Sequence, residues 1–346
     1  MAQERLYLDH AATTPVLTVA RAAMADALER WANPSSPHGE GRSARAALEA
    51  ARARIGKALG WDGEILFTSG ASEAIALALG GFDAVASAVE HDAVLSAVGE
   101  EKRLSVDRHG LVQLGAIAKG RRYAIQQVNN ETGVIQPLAE LGARIREGGG
   151  LLVADCSQGV GKLPLPDADI VILSAHKLGG PPGLGALLVN DLALLRPTGG
   201  QEKGYRRGTE NLPAILGLAA ALDAGFDWLE GAARLRAKLE TAIEAAGGEV
   251  VAKAAPRLAT IGSYRMPGVS ASSQLISFDL AGISVSAGSA CSSGTLKASH
   301  VLTAMGWDAK AAGEVVRASF GPQTGEADID RFIAAWQAIR ERALAA

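Results

Sequence analysis

The chain has 346 residues, of which 48% are hydrophobic and 21% charged, a composition typical of a globular protein with ample apolar material for a large core. Two cysteines exclude a disulfide framework, and no apolar run reaches the roughly 18 to 20 residues that a bilayer-spanning helix needs. The net charge of −3, the aromatic content of 4% and the charged N-terminal segment argue against nucleic acid, membrane and a signal peptide, so we expect a cytoplasmic protein.

Helical and strand-like segments alternate along the first 200 residues. Helices are predicted over residues 16–31 and 42–59, with the Pro/Ser/Gly-rich loop NPSSPHGEG between them. There follow the strand EILFTS, the helix ASEAIALAL, the strands AVASAV and RRYAIQQV, the helix LAELGARIRE, and the strands LLVAD, DIVILSA and GALLVN. This order favours a mainly parallel sheet that is covered by helices on both faces.

A second, smaller unit is predicted beyond this sheet. Residues 211–246 show one long helical pattern that leads into strands near LATIGSYR and VVRASFG. The last helix places five apolar residues on one face: Ile329, Phe332, Ile333, Trp336 and Ile339. The prediction is an α/β fold with a large α/β domain at 14–230 and a small α+β domain formed by 1–13 and 231–346.

Residues with chemical potential follow the predicted strands, at the ends where open α/β sheets bind ligands. Gly70, Ala71 and Ser72, in TSGASE, lie between a strand and a helix, where small residues and a helix N-terminus suit a phosphate. A plain helix cap is the alternative. Asp155 follows the apolar strand LLVAD and either caps the next segment or faces a cationic partner.

A lysine follows another apolar strand. Lys177, in ILSAHKLGGPPGLG, is a candidate for a lowered pKa and Schiff-base chemistry if it is shielded from water, and a solvated loop lysine otherwise. Taken jointly, the phosphate cradle, the acid and a lysine 22 residues after it match the needs of pyridoxal phosphate. His91, which follows a further strand, is then expected to stack on the pyridine ring.

Motifs that span essentially the whole chain give a family resemblance. In chain order they are YLDHAATTP, NPSSPHGEGR, FTSGASEA, EHDAVL, VNNETGVIQP, DCSQGVGKLP, SAHKLGGPPGLGAL, RRGTENLPAI, SAGSACSSG and VVRASFG. This series resembles the cysteine desulfurases, class-V aminotransferase-like enzymes that mobilise sulfur for iron–sulfur clusters. The resemblance implies a fold-type I transferase that depends on pyridoxal 5'-phosphate and forms a homodimer with active sites at the subunit interface.

The same resemblance implies a role for each site residue. Lys177 corresponds to the Schiff-base lysine, Asp155 to the partner of the ring nitrogen and His91 to the stacking residue. The remaining roles are Asn130 and Gln158 on the ring hydroxyl, Ser72, Ser174 and His176 on the phosphate, Thr209 on the neighbouring subunit's phosphate, Arg317 as clamp of the substrate carboxylate, and Asn33 and Asn130 as further substrate contacts.

Cys291 lies in SAGSACSSG, a run with nothing large enough to pack into a core. The implied reaction takes sulfur from L-cysteine, releases L-alanine and leaves a persulfide on Cys291, which a protein acceptor such as an iron–sulfur scaffold then receives. A Ser/Gly/Ala loop permits the travel that this requires. The attacking species is the thiolate, and we expect His91 or the cofactor to help deprotonate it. We expect Cys156 to be a small buried residue rather than a second nucleophile.

Other functions stay open at this point. A selenocysteine lyase or an aminotransferase shares the lysine and the cradle, although an aminotransferase has no use for Cys291. A binding protein with a metal held by His91, Cys156, His176 and Cys291 has no recognised ligand spacing, so no metal is predicted. A scaffold that keeps pyridoxal phosphate only for folding would release no alanine from cysteine.

Overall fold

The computed structural model describes residues 5–290, 296–297 and 299–345. The elements of the first part of the chain are β1 (Leu6–Tyr7), α1 (Thr18–Glu29), α2 (Gly39–Leu59), β2 (Glu64–Thr68), α3 (Ala71–Leu79), β3 (Ala84–Ser87), α4 (Asp92–Val98), β4 (Arg103–Leu104), β5 (Arg122–Gln126), α5 (Leu138–Glu147), β6 (Leu151–Asp155), β7 (Ile170–Ser174) and β8 (Gly185–Val189). The later elements are α6 (Leu212–Asp223), α7 (Leu229–Ala245), β9 (Glu249–Val250), β10 (Ile261–Arg265), α8 (Ala271–Leu280), β11 (Ile283–Ser284), β12 (Ser289–Ala290), β13 (Leu296–Lys297), α9 (His300–Ala304), α10 (Ala309–Ala312), β14 (Val315–Ser319) and α11 (Glu326–Leu344).

The central sheet has seven strands within the described residues, in the order β2-β8-β7-β6-β5-β3-β4. Neighbouring strands are parallel except at β8, which runs antiparallel to both β2 and β7. The carboxyl ends of the parallel strands therefore meet at one edge of the sheet. Because β8 is reversed, its first residue, Gly185, lies at the same edge, opposite Ser174 of β7.

Helices cover both faces of this sheet, as the alternation of side chains along a strand requires. On β5, Tyr123 and Ile125 join one hydrophobic core while Ala124 joins the other. The first core also receives apolar residues from α2, α5 and α6, and the second receives them from α3 and α4. The predicted α/β class with a mainly parallel, doubly covered sheet is confirmed.

A separate core lies among the C-terminal elements. β10 pairs antiparallel with β14 and β9, and α7, α8 and α11 contribute side chains to this core. Phe278 stacks on Phe332 with ring centroids 4.9 Å apart, and Trp336 is almost fully buried beside them. Leu6 and Leu8 pack into the same core, and β1 pairs with β11, so the N-terminal segment is attached to the C-terminal elements.

Some predicted boundaries are wrong for local reasons. The helix predicted over 211–246 is two helices, because Gly225 adopts a φ of +75°, a left-handed conformation that glycine tolerates and that ends α6. The second predicted helix begins earlier, at Gly39, where the His38 ring accepts a hydrogen bond from the backbone N–H of Gly41. By contrast, the predicted bounds 71–79, 138–147 and 151–155 match the observed elements. No helix in the described part of the chain combines the length and hydrophobicity needed to cross a bilayer.

Candidate active site

A cavity of about 330 Å³ lies at the edge where the parallel strands end, a size within the range of small-molecule sites. Its lining comes from the residues that follow β2, β3, β5, β6 and β7, together with the turn that leads into β8. Ten of the residues predicted from the sequence line it: Gly70, Ala71, Ser72, His91, Asn130, Asp155, Gln158, Ser174, His176 and Lys177. The topology therefore brings together residues that are up to 107 positions apart in the chain.

Lys177 lies just beyond β7, in a single 3-10 turn over Ala175–Lys177. Its Nζ donates hydrogen bonds to the carbonyl oxygens of Ala11, at 2.6 Å, and Ala12, at 2.8 Å. Burial, and then the nearby positive charge of Arg317, lower the pKa of this amine to about 8. A substantial share of the amine is therefore uncharged near neutral pH, which is the form that attacks an aldehyde.

The N-terminus of α3 forms one wall of the cavity. Gly70, Ala71 and Ser72 line the cavity where the first backbone N–H groups of this nine-residue helix have no partner within the helix. A Cβ placed on Gly185 would lie 2.6 Å from the carbonyl carbon of Gly70, so β8 can approach this turn only as glycine. Such a helix end favours a phosphate through its N–H groups and its dipole.

Two side chains from the end of β7 stand beside this wall. Ser174 is buried, and the Nδ1 of His176 lies 3.1 Å from the Oγ1 of Thr13. Burial and the charge of Lys177 lower the pKa of His176 to about 4, so its ring is neutral at physiological pH. A neutral imidazole and a hydroxyl can each donate a hydrogen bond to a phosphate oxygen.

Asp155 supplies the negative charge at this edge of the sheet. It is the last residue of β6, and its Oδ1 accepts a hydrogen bond from the backbone N–H of Ser157 at 2.9 Å. The neighbouring carboxyl, Glu90, is fully buried and accepts from the backbone N–H of Gln126 at 2.8 Å. Burial raises the pKa of Glu90 well above its usual value, and the charge of Asp155 raises it further, so the neutral form of Glu90 is favoured.

Gln158 presents an unsatisfied oxygen in the lining. Its side chain is buried, its Nε2 donates to the Ala11 carbonyl at 2.8 Å, and its Oε1 accepts no hydrogen bond from any described residue. Buried polar atoms are rarely left without a partner, so this oxygen is available to accept a hydrogen bond from a molecule bound in the cavity.

His91 caps α4 while it faces the cavity. Its Nδ1 accepts a hydrogen bond from the backbone N–H of Ala93 at 3.2 Å. Because Nδ1 is the acceptor, the neutral ring carries its proton on Nε2. The cap thereby sets both the ring's position and its tautomer.

Arg317, on β14, lies beside the cavity and is not among the described residues that line it. Its guanidinium is buried, donating through Nη2 to Asp9 Oδ1 at 2.7 Å and through Nη1 to the Asn130 carbonyl at 2.9 Å. Asn130 lines the cavity, so the guanidinium of Arg317 is bonded directly to a lining residue. Such a fork matches a carboxylate.

The other predicted residues lie elsewhere. Asn33 and Thr209 are exposed and outside this lining, and the Oδ1 of Asn33 accepts from the backbone N–H of Ser35 at 2.9 Å. Cys291 lies outside the described residues. Cys156 is fully buried, as expected, and burial raises the pKa of its thiol well above the usual value, which disfavours the reactive thiolate. Within the described residues, no three metal-ligating side chains cluster.

Sequence reasoning missed several residues that contact the site side chains from outside the described lining. The motif YLDHAATTP was matched as a whole, but no role was assigned to its members, and four of them contact site side chains: Asp9, Ala11, Ala12 and Thr13. Lys162, within GKLP, was also missed; its Nζ donates to the carbonyls of Gln158, at 3.2 Å, and Lys177, at 3.3 Å. Contacts to backbone carbonyls leave no trace in residue type, so only the motif itself could have signalled them.

The arrangement can hold a flat, phosphorylated ring that carries an aldehyde. The amine, the carboxylate and the helix N-terminus stand around one cavity, and the unsatisfied Gln158 oxygen offers an acceptor for a ring substituent. These are the groups that pyridoxal phosphate requires from a protein.

Comparison with known proteins agrees with this site. The profile of the class-V aminotransferases (Aminotransferase class-V) matches residues 6–332. A cysteine desulfurase of Cereibacter sphaeroides is 36% identical, across 95% of this chain and 94% of that protein. Among solved structures, a NifS-like protein from Rickettsia africae has a TM-score of 0.90 and 31% identity, covering 98% of this chain and 100% of that one. The structure titled "SspA in complex with cysteine" has a TM-score of 0.79 and 29% identity, covering 92% of this chain and 100% of that one. The chain therefore belongs to the class-V aminotransferase family and, within it, to the cysteine desulfurases.

Proposed function

We propose that this protein binds pyridoxal 5'-phosphate and acts as a cysteine desulfurase, taking sulfur from L-cysteine to give L-alanine and a persulfide on Cys291. The observation that carries the proposal is the cavity in which Lys177, with a pKa of about 8, stands with Asp155 and the N-terminus of α3. The relative solved with cysteine supports the choice of substrate.

The lining residues account for each part of the cofactor. With pyridoxal phosphate bound, Lys177 would hold its aldehyde until the amine of the substrate takes that place, Asp155 would keep its ring nitrogen protonated and His91 would stack on its ring. The phosphate is held by Gly70, Ala71, Ser72, Ser174 and His176, and the ring hydroxyl by Asn130 and Gln158. When bound, the cofactor supplies an electron sink that weakens the substrate's Cα–H and Cβ–S bonds.

Arg317 binds the substrate carboxylate, with Asn33 as a further contact. The guanidinium is already oriented by Asp9 and by the Asn130 carbonyl, so little side-chain freedom is lost when the substrate binds. Arg317 also lowers the pKa of Lys177, so the same residue that holds the substrate keeps the amine partly neutral.

The remaining steps are proton and sulfur transfers by side chains of this chain. The neutral Lys177 amine takes the Cα proton of the substrate. The Cys291 thiolate then attacks the substrate sulfur: the new S–S bond forms, the Cβ–S bond breaks, and its electron pair stays with the carbon fragment. That fragment takes up the proton held by Lys177 and the proton given up by the Cys291 thiol, and leaves as alanine, while His91, whose Nδ1 is engaged by the Ala93 N–H, offers a hydrogen-bond donor at Nε2.

We further propose a cytoplasmic homodimer with domains at 14–230 and at 1–13 with 231–346. Thr209 supports the dimer, because it is exposed and outside the described lining of its own cavity, as a residue that reaches the neighbouring phosphate would be. A protein acceptor, such as an iron–sulfur scaffold, would receive the persulfide sulfur.

Mass spectrometry after L-cysteine treatment tests the function. The expected result is one added sulfur atom on the peptide that contains Cys291, with alanine released, and neither product in Lys177→Ala. A Cys291→Ser variant that still consumes L-cysteine at the wild-type rate, with a keto acid as product instead of alanine, would favour an aminotransferase. Faster turnover of selenocysteine than of cysteine would favour a lyase for that substrate.

A further inference from the structure

The two short strands that flank Cys291 in the sequence are paired with each other. β12 and β13 pair antiparallel, with Ser289 opposite Lys297 and Ala290 opposite Leu296. Next to this pair, a Cβ placed on Gly288 would lie 2.9 Å from the Cβ of Ser299. We call Gly288, β12, β13 and Ser299 the hairpin stem. Cys291 is the next residue in the sequence after β12.

One buried carboxylate meets both ends of this stem. Ser299 Oγ donates to Glu131 Oε2 at 2.5 Å, and the same oxygen would lie 3.3 Å from a Cβ on Gly288. Glu131 is 4% exposed and Ser299 3%, so the contact is shielded from water. Ser299 Oγ also accepts from the backbone N–H of Leu302 at 3.0 Å, which makes it the cap of α9.

Glu131 is itself fixed to the cavity wall. Asn130, its neighbour, lines the cavity, and Asn129 Oδ1 accepts from the backbone N–H of Glu131 at 2.9 Å. Ser263 Oγ donates to the Glu131 carbonyl at 2.7 Å. The backbone of Glu131 is thus hydrogen-bonded at its N–H and at its carbonyl, while its side chain is held separately, by burial and by the bond from Ser299.

The stem is tied to the substrate clamp as well. The backbone of Arg317 exchanges two hydrogen bonds with Ser286, at 2.6 and 3.1 Å, two residues before Gly288. The Arg317 guanidinium donates to the carbonyl of Asn130, one residue before Glu131. The contacts thus run in a closed circuit from the clamp to the stem, to Glu131 and back to the clamp.

We propose that Glu131 is a positioning residue for sulfur transfer: its carboxylate, through Ser299, fixes the hairpin stem against the cavity wall and so sets where Cys291 starts from. The inference rests on the proposed function, since it needs Cys291 to be the sulfur acceptor. A displacement of about 1 Å between reacting groups can cost about 100-fold in rate, so losing the anchor should slow sulfur transfer without weakening substrate binding.

The test compares holoenzyme variants in two measurements. Glu131→Ala and Ser299→Ala remove the link, Glu131→Gln and Ser299→Thr keep an acceptor or a hydroxyl, and Ser263→Ala loosens the same turn without touching the carboxylate. The first measurement is the Kd of L-alanine from the cofactor spectrum, which reports the clamp and the cofactor without any sulfur. The second is the single-turnover rate at which Cys291 gains sulfur, from quenched samples and mass spectrometry.

The expected result is a split between the two measurements. Glu131→Ala and Ser299→Ala should slow sulfur gain at least about tenfold and leave the Kd of L-alanine within about twofold, while the other three variants stay within about threefold in both. Unchanged sulfur gain in both alanine variants, or a parallel loss of L-alanine binding, would overturn the inference. If Glu131→Ala fails to load cofactor, the Ser299→Ala and Ser299→Thr pair decides. If wild-type Cys291 gains no sulfur, the proposed function fails first, and that outcome is seen before any variant is compared.

Discussion

The pKa of Lys177 should govern how fast the apoenzyme takes up pyridoxal phosphate, because only the uncharged amine attacks an aldehyde. With a pKa of about 8, about one quarter of the amine is neutral at about pH 7.5, against about 0.1% for a lysine at the ordinary value of 10.5. The environment of Lys177 therefore raises the reactive fraction about 200-fold at that pH.

Two paired charges near the amine allow its pKa to be moved in opposite directions. Arg317 lowers the pKa of Lys177 and Asp9 raises it, and the two are bonded to each other at 2.7 Å. Arg317→Gln removes the cation and leaves the Asp9 charge unopposed, so both effects raise the pKa. Asp9→Asn removes the anion and leaves the guanidinium unopposed, so both effects lower it.

The assay is stopped-flow absorbance of pyridoxal phosphate binding to apoenzyme between about pH 6 and about pH 10.5. The titrations of free pyridoxal phosphate are the same for every variant, so they cancel when the rate of one variant is divided by that of another at the same pH. The midpoint should lie near pH 8 in the wild type, higher in Arg317→Gln and lower in Asp9→Asn. Arg340→Gln serves as the control. Arg340 is on α11 and donates to the Gly247 carbonyl, away from the cavity, so its loss should leave the midpoint of the pH profile unchanged. A wild-type midpoint near 10.5, or the reverse order of the two variants, would refute the reasoning.

Three further changes have definite expected outcomes. Gly185→Ala would place a Cβ 2.6 Å from Gly70 and should weaken cofactor binding at least about tenfold in a spectral titration. The control is Gly115→Ala, whose Cβ would have no neighbouring atom within 4 Å and should not change the affinity. Equal affinities of the two variants would contradict the close approach of β8 to Gly70. Cys156→Ala should leave the amount of persulfide on Cys291 unchanged, as measured by mass spectrometry, because the thiol of Cys156 is buried. The cavity left by its sulfur should lower the free energy of unfolding by about 1 to 2 kcal/mol. Loss of the persulfide in this variant would make Cys156 part of the reaction. Asn211→Ala removes the cap whose Oδ1 accepts from the first turn of α6 and should lower the free energy of unfolding by about 1 kcal/mol in denaturant titration; no change would mean that the cap contributes nothing.

The sheet and its edge could be predicted because their signals are local in the sequence. A strand such as Ile170–Ser174 is buried throughout and apolar up to its last residue, and the parallel topology alone places the polar residues at its end at the sheet edge. Lys177, Asp155 and His91 could thus be expected near one another before any coordinates, and the cavity contains all three.

What escaped prediction depends on long-range contacts. Asp9 is joined to Arg317 across 308 positions, and the two carbonyls that hold the Lys177 amine belong to alanines, whose side chains carry no chemical signal. Glu131 is part of the motif VNNETGVIQP, but its proposed positioning role depends on its hydrogen bond with Ser299, which only the fold brings close to it. The break at Gly225 had a local signal, but alanine and leucine on both sides concealed it. The roles of Asn33 and Thr209 and the two domain boundaries stay predictions.

The segment 11–14, whose carbonyls hold the Lys177 amine, is bonded to residues from the middle and from the later part of the chain. The backbone N–H of Thr14 donates to the His176 carbonyl, and that of Ala11 donates to Ser319 Oγ, 308 positions away. The second of these contacts cannot form until synthesis has passed Ser319. Full attachment of the segment beside the Lys177 amine is therefore a late event in synthesis: a chain stalled before β14 lacks this bond however well its central sheet has folded.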